Sequence, residues 1–134
     1  MDDYDPIAPL CIYTIAHSDR LNFFYHLGGR GELFEGKRWV RATELFAAAQ
    51  EFRMRLLIIF AAAEAPAELI YYGTLDAVHL RASGTEFTFS GLTSFSSPRP
   101  MKTSLLNDLT GAPIPQNYSR PYLICRTPKE LIKK

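Results

Sequence analysis

RLLIIFAAAEAPAELIYYGTLDAVHLRASGTEFTFSGL, residues 55–92, reads as three strands joined by tight turns, with paired tyrosines and a glycine at its centre. Its last segment alternates: Phe87 and Phe89 point one way, Glu86, Thr88 and Ser90 the other, which is the period of a half-buried antiparallel strand. Ala82-Ser83-Gly84 before it suits a hairpin turn. Upstream, Leu57-Ile58-Ile59-Phe60 has β-branched residues at its centre and no polar face, as expected of a fully buried strand. Between them, residues 69–80 are apolar on both faces, and Gly73 marks a bulge or bend. The core is therefore expected to be small and β-rich.

Working outward, LCIYTIA (residues 10–16) is a strand near the start, and LNFFYHL (residues 21–27) is a second, aromatic-rich strand candidate. Gly28-Gly29-Arg30-Gly31 closes it as a loop. Thr43 is placed to cap a helix with Leu45, Phe46, Ala49 and Phe52 on one face, stopping near Arg53. After a Ser- and Pro-containing loop, a short helix is expected over residues 101–109, ended by Gly111. Residues 122–125 form a short strand, and Thr127-Pro128-Lys129-Glu130 reads as a capping box that opens a terminal helix. The sum is one α+β domain over residues 1–134, with a small, mixed, mostly antiparallel, barrel-like sheet and about three short helices.

Composition excludes several classes. The longest apolar run spans eight residues, 56–63, far short of the roughly 20 that cross a bilayer, so no membrane partner is expected. The start, Met1-Asp2-Asp3-Tyr4-Asp5-Pro6, is acidic where a signal peptide is basic, which favours a cytoplasmic protein. Cys11 and Cys125 each lie in an apolar segment; both read as buried thiols, a disulfide between packed strands being the alternative. His17, His26 and His79 share no metal-ligand spacing and no CxxC accompanies them, so neither a metal nor a cofactor is expected. There is no P-loop, dinucleotide fingerprint or GxSxG elbow, and the glycine cluster reads as a turn presenting Arg30 or as an anion site.

Charge is unevenly spread. Residues 1–98 hold eight Lys/Arg against twelve Asp/Glu, whereas residues 99–134 hold seven against two, namely Arg99, Lys102, Arg120, Arg126, Lys129, Lys133 and Lys134 among the cations. Aromatic residues lie among the cations. Trp39 sits between Lys37, Arg38 and Arg41; Tyr118, Arg120 and Tyr122 alternate; Tyr71 and Tyr72 occupy opposite faces of one strand. Rings that stack bases beside cations that hold phosphates make a nucleic-acid surface; the same tyrosines could equally pack a β core.

The order Gly36-Lys37-Arg38-Trp39-Val40-Arg41, helix, apolar strand, Ile70-Tyr71-Tyr72-Gly73-Thr74-Leu75 and hairpin resembles the PUA-like superfamily, which includes the ASCH and EVE domains. The resemblance covers about residues 36–126 and implies a small mixed β-barrel that binds RNA or a modified base, with a pocket near Lys37 to Arg41 and the Tyr71-Tyr72 strand. The ASCH signature GxKxxExR is represented only by Gly36, Lys37 and Arg41, at compressed spacing and without a glutamate, so its hydrolase activity is not carried over.

The expected function is a non-enzymatic module that binds nucleic acid or a modified nucleotide. Its ligand-binding residues are Lys37, Arg38, Trp39, Arg41, Tyr72, Tyr118 and Arg120, with Trp39 and Tyr72 stacking on the base. Two alternatives remain. A small nucleotide-acting enzyme would draw on His17, Lys37 and Asp76, and a protein-interaction domain would use Phe23, Phe24 and Tyr25 to hold a protein partner.

Overall fold

The structure, a computed structural model, describes residues 5–118, 120 and 122–132; Met1 to Tyr4 and the basic Lys133 and Lys134 lie outside the described residues. Six strands, β1 (Leu10–Ala16), β2 (Gly31–Glu35), β3 (Leu57–Ala62), β4 (Ala65–Arg81), β5 (Gly84–Ser94) and β6 (Tyr122–Arg126), form one sheet in the order β2-β5-β4-β3-β1-β6. Only β1 and β3 run parallel; the other neighbours are antiparallel. Three helices accompany it: α1 (Ser18–His26), α2 (Val40–Glu51) and α3 (Lys129–Ile132). No helix among the described residues is long and apolar enough to cross a membrane.

β3 explains the two-sided core. Every residue of LIIFAA is buried, and they alternate between two apolar clusters. Ile58, Phe60 and Ala62 join Leu21 of α1, Trp39, Ala42 and Ala49 beside and within α2, and Phe87 and Phe89 of β5. Leu57, Ile59 and Ala61 join Cys11, Tyr13, Leu69, Leu105, Ile114, Cys125 and Leu131. A strand covered on both faces has no solvent side to mark with polar residues, which is why this run lacks alternation. β5 does alternate, with Phe87 and Phe89 buried and Glu86, Thr88 and Ser90 partly exposed.

The hairpin turns on Ala82-Ser83, with Arg81 paired to Gly84. Gly73 lies at a bulge, where the register between β4 and β5 shifts between Tyr72 and Thr74. A Cβ on Gly84 would run into the Glu35 carbonyl oxygen and the Phe34 ring of β2. Gly84→Ala should therefore push β2 off β5 and cost about 1–3 kcal/mol, read as a lower urea midpoint. An unchanged midpoint would mean that β2 is not docked there.

Several expected elements differ. Residues 21–26 are helical, within α1, and Leu27 caps it, because Leu21 and Phe24 are spaced to face the sheet, where Phe24 meets Phe89 edge-on. The glycine cluster ends that helix: the Gly29 N–H bonds the Phe24 carbonyl at 2.8 Å, with Gly28 and Gly29 at φ of 104° and 82°. α2 begins at Val40, so Thr43 lies inside it and donates its hydroxyl to the Trp39 carbonyl rather than capping the helix. α2 does stop before Arg53, which takes a left-handed φ of 54°.

Residues 101–109 hold only a 3₁₀ turn, Lys102–Ser104. The chain beyond it pairs with β6 instead: Arg126 N–H donates to the Leu106 carbonyl and Asp108 N–H to the Ile124 carbonyl. Asn107 Oδ1 accepts the Leu109 and Thr110 amides, which compete with a helix. α3 is present, but the Thr127 hydroxyl is given to the Ala8 carbonyl, so the capping box does not form as read.

Cys11 and Cys125 face each other across β1 and β6 as buried free thiols. Burial pushes the Cys11 thiol up to about 12, with a Thr127 hydrogen bond opposing, and raises Cys125 as well. The unfolded thiols deprotonate first, so their contribution to stability is complete below about pH 9 and lost as pH rises towards 12. Iodoacetamide at pH 8 should leave both cysteines unmodified in the folded protein and modify both in urea. Rapid native labelling would contradict this packing.

Candidate functional site

Four of the seven residues singled out above meet in one cleft of about 330 Å³. Lys37, Arg41, Tyr118 and Arg120 line it together with Tyr122, Leu123 and Ile124. Two parts of the chain converge there: the β2–α2 turn with the first turn of α2, and the segment entering β6.

The β2–α2 turn is clamped by Thr85 of β5. Its hydroxyl accepts the Trp39 amide at 2.9 Å and donates to the Lys37 carbonyl at 2.7 Å. Thr85 is itself fully buried, so both backbone groups depend on it. Trp39 is the correction to the expected site. It is 0% exposed, and its indole lies between Phe87 at 4.5 Å and Tyr122 at 5.0 Å, both near-parallel. It cannot stack on a base; it backs Tyr122, which lines the cleft. Its Nε1 is buried without a hydrogen-bond partner among the described residues.

On the β6 side, Tyr118 is fixed at two points. Its hydroxyl donates to the Tyr122 carbonyl at 2.9 Å, and its own carbonyl accepts the Lys102 ammonium at 3.3 Å. Burial raises the Tyr118 phenol, and the Arg120 guanidinium pulls it partly back. Lys102 is buried, so the cleft has a cation beneath this segment as well as at its rim.

Arg41 is committed elsewhere: Nη2 meets Asp108 Oδ2 at 2.7 Å, with the Asp108 side chain only 6% exposed. The side chains of Lys37 and Arg120 make no hydrogen bond or ion pair with a described residue. Arg38 is exposed but does not line the cleft. Tyr72 is not brought to it either, since its ring packs on Phe95 at 4.9 Å beside the second core cluster.

A smaller cleft of about 250 Å³ adjoins, lined by residues that include Thr14, His17, Leu33, Phe34, Glu35 and Phe87. Thr14 and Tyr122 are direct cross-strand neighbours, so the two openings share a wall. The residues named for an enzyme do not converge. His17 lines this smaller cleft, Lys37 the first, and Asp76 a third, polar groove of about 800 Å³ with Arg30, Glu32 and Gln50. No group of three or more metal-ligating side chains occurs among the described residues.

Sequence reasoning named Tyr122 only as part of an alternation and did not place it in the site. That alternation, Tyr118-x-Arg120-x-Tyr122, was the available signal. The burial of Lys102 beneath Tyr118 had none. No family model, characterised protein or solved structure matches the chain.

Proposed function

We propose that this domain binds single-stranded nucleic acid or a modified base without acting on it chemically, in the manner of PUA-like proteins. The observation that carries the reading is the meeting of two uncommitted cations, Lys37 and Arg120, with two tyrosines in one cleft. Phosphates would sit on the cations. A base would extend the ring stack Phe87, Trp39, Tyr122 at its outer end, where stacking contributes about 1–3 kcal/mol per base. The adjoining cleft, with Leu33 and Phe34 as apolar wall and Glu35 at its edge, has room for a base turned out of the strand.

A barrel-like curl of the sheet fits the same proposal. Trp39 touches Phe87 on β5 and Tyr122 on β6, strands far apart in the sheet order, so the sheet bends around the indole.

The test is titration of a fluorescein-labelled single-stranded oligonucleotide at several salt concentrations. Two phosphate contacts predict a log–log slope of about −1.4, at ~0.7 per phosphate on a single strand. Absence of binding at low salt, or binding that salt leaves unchanged, overturns the proposal.

A protein-binding reading has its own support in α1, where Phe23 is 60% exposed and Leu27 beyond the helix is also exposed, while Phe24 turns inward. A concentration-dependent dimer seen by sedimentation, lost in Phe23→Ser, would favour it.

A further inference from the structure

A separate cleft of about 300 Å³ lies between α1, the β3–β4 turn and the start of β4, and shares no lining residue with the Lys37 cleft. Its apolar wall is Ala62 and Ile70, both buried. Around it stand Asn22, Glu64, Glu68, Tyr71 and Arg99.

Tyr71, Asn22 and Glu64 are held by hydrogen bonds, and the backbone segments that carry Glu68 and Arg99 are tied to each other. Tyr71 is 6% exposed, and its hydroxyl donates to Asn22 Oδ1 at 2.6 Å, which leaves the two Asn22 N–H groups as the amide's free donors. Burial raises the Tyr71 phenol, so it remains a proton donor at neutral pH. Glu64 Oε1 accepts the Ser18 amide at 2.9 Å; that bond holds the carboxyl below its ordinary range and therefore ionised. Glu68 is bridged through its backbone to Met101, and Leu69 N–H bonds the Pro100 carbonyl at 2.8 Å, which ties the Glu68 strand to the segment carrying Arg99. Neither the Glu68 nor the Arg99 side chain makes a hydrogen bond or ion pair with a described residue.

We infer that this cleft recognises guanine, an inference that rests on the nucleic-acid reading above and names the base. It presents carboxylate acceptors together with guanidinium and amide donors. Guanine alone among the common bases carries two adjacent N–H donors, N1–H and N2–H₂, that one carboxylate can accept together. Its O6 and N7 acceptors suit a guanidinium. Glu68 takes the donor edge and Arg99, with Asn22, the acceptor edge. Adenine offers one amino donor flanked by ring acceptors, cytosine one amino donor beside a single ring acceptor, and uracil a single N–H between two carbonyls, so each leaves Glu68 or Arg99 half-paired. The discrimination is a difference in bonds made: a base that pairs with only one of the two side chains forgoes the bidentate contact of the other.

The experiment is titration of the full chain with GMP, AMP, CMP and UMP, using the backbone amides of Asn22, Glu68 and Tyr71 as NMR reporters. GMP should bind about tenfold to a hundredfold more tightly than the others, the discrimination expected from one well-formed bidentate pair. Glu68→Gln and Arg99→Gln, both at exposed positions, should each abolish the preference while leaving the thermal midpoint unchanged. The Lys37→Glu/Arg120→Glu variant should retain it. Equal binding of the four nucleotides, no nucleotide binding, or a preference that survives both cleft substitutions overturns the inference. Retention of oligonucleotide binding in those cases leaves the Lys37 cleft standing; a guanine preference without oligonucleotide binding removes the Lys37 cleft and keeps this one.

Discussion

Trp39→Ala is expected to lower stability by about 3–5 kcal/mol, the range for deleting a large, fully buried aromatic side chain. The indole supplies two ring contacts at once, to Phe87 on β5 and Tyr122 on β6, and it sits against the backbone clamp made by Thr85. Removing it leaves a cavity that neither neighbour can fill without moving. Trp39→Phe should recover part of the loss, because it keeps a flat ring between the other two. Urea unfolding followed by far-UV circular dichroism measures both. A change below about 1 kcal/mol for the alanine variant would place Trp39 at the surface and undo the site geometry with it.

The second large effect concerns charge. Lys37→Glu with Arg120→Glu should all but abolish oligonucleotide binding, because it places two negative charges where phosphates are to sit. The single changes Lys37→Ala and Arg120→Ala should each weaken binding evenly across sequences and flatten the log–log salt slope by ~0.7, one of the two single-strand phosphate contacts. Stability should barely move, since neither side chain is paired with a described residue. Arg41→Ala is the informative contrast. It breaks the 2.7 Å ion pair with Asp108, whose other oxygen is already buried and unpartnered, so its effect should fall on folding. Equal loss of binding from all three cations, without loss of stability in Arg41→Ala, would show that the partition between ligand-facing and structural cations is wrong.

The hairpin and the central strand were legible because their signals are local. Phe87 and Phe89 alternate with polar residues, Gly84 follows a two-residue turn, and Leu57 to Phe60 has no polar face at all. The helix over residues 18–26 was not, because its aromatic residues have strand-like composition, and the contacts that mark its inner face, Leu21 in the core, Phe24 on Phe89 and Tyr25 on Tyr71, exist only in space. β2 was hidden beside the glycine cluster; its placement comes from pairing with β5, a partner distant in sequence.

The site divides the same way. Tyr118 and Arg120 share an alternating segment, and Lys37 and Arg41 share the approach to α2, so each half could be read from the chain. Their meeting depends on β6 joining β1 at the sheet edge. Trp39 was misread for a related reason. Its neighbours in sequence are cations, which suggested a surface, whereas its neighbours in space are Phe87 and Tyr122. Composition around a residue reports on solvent only when that residue points outward. Tyr72 failed likewise, drawn to Phe95 by a contact that no spacing in the sequence marks.

The most direct measurement is an NMR titration of the full chain with a single-stranded oligonucleotide at low salt, following backbone amides and the Trp39 indole N–H. Shifts should concentrate at Lys37, Tyr118, Arg120 and Tyr122, with the indole signal moving because it lies directly behind Tyr122, and all should reverse as salt is added. Shifts confined to the Arg30–Asp76 groove or to the exposed face of α1, or no shifts at all, would contradict the account.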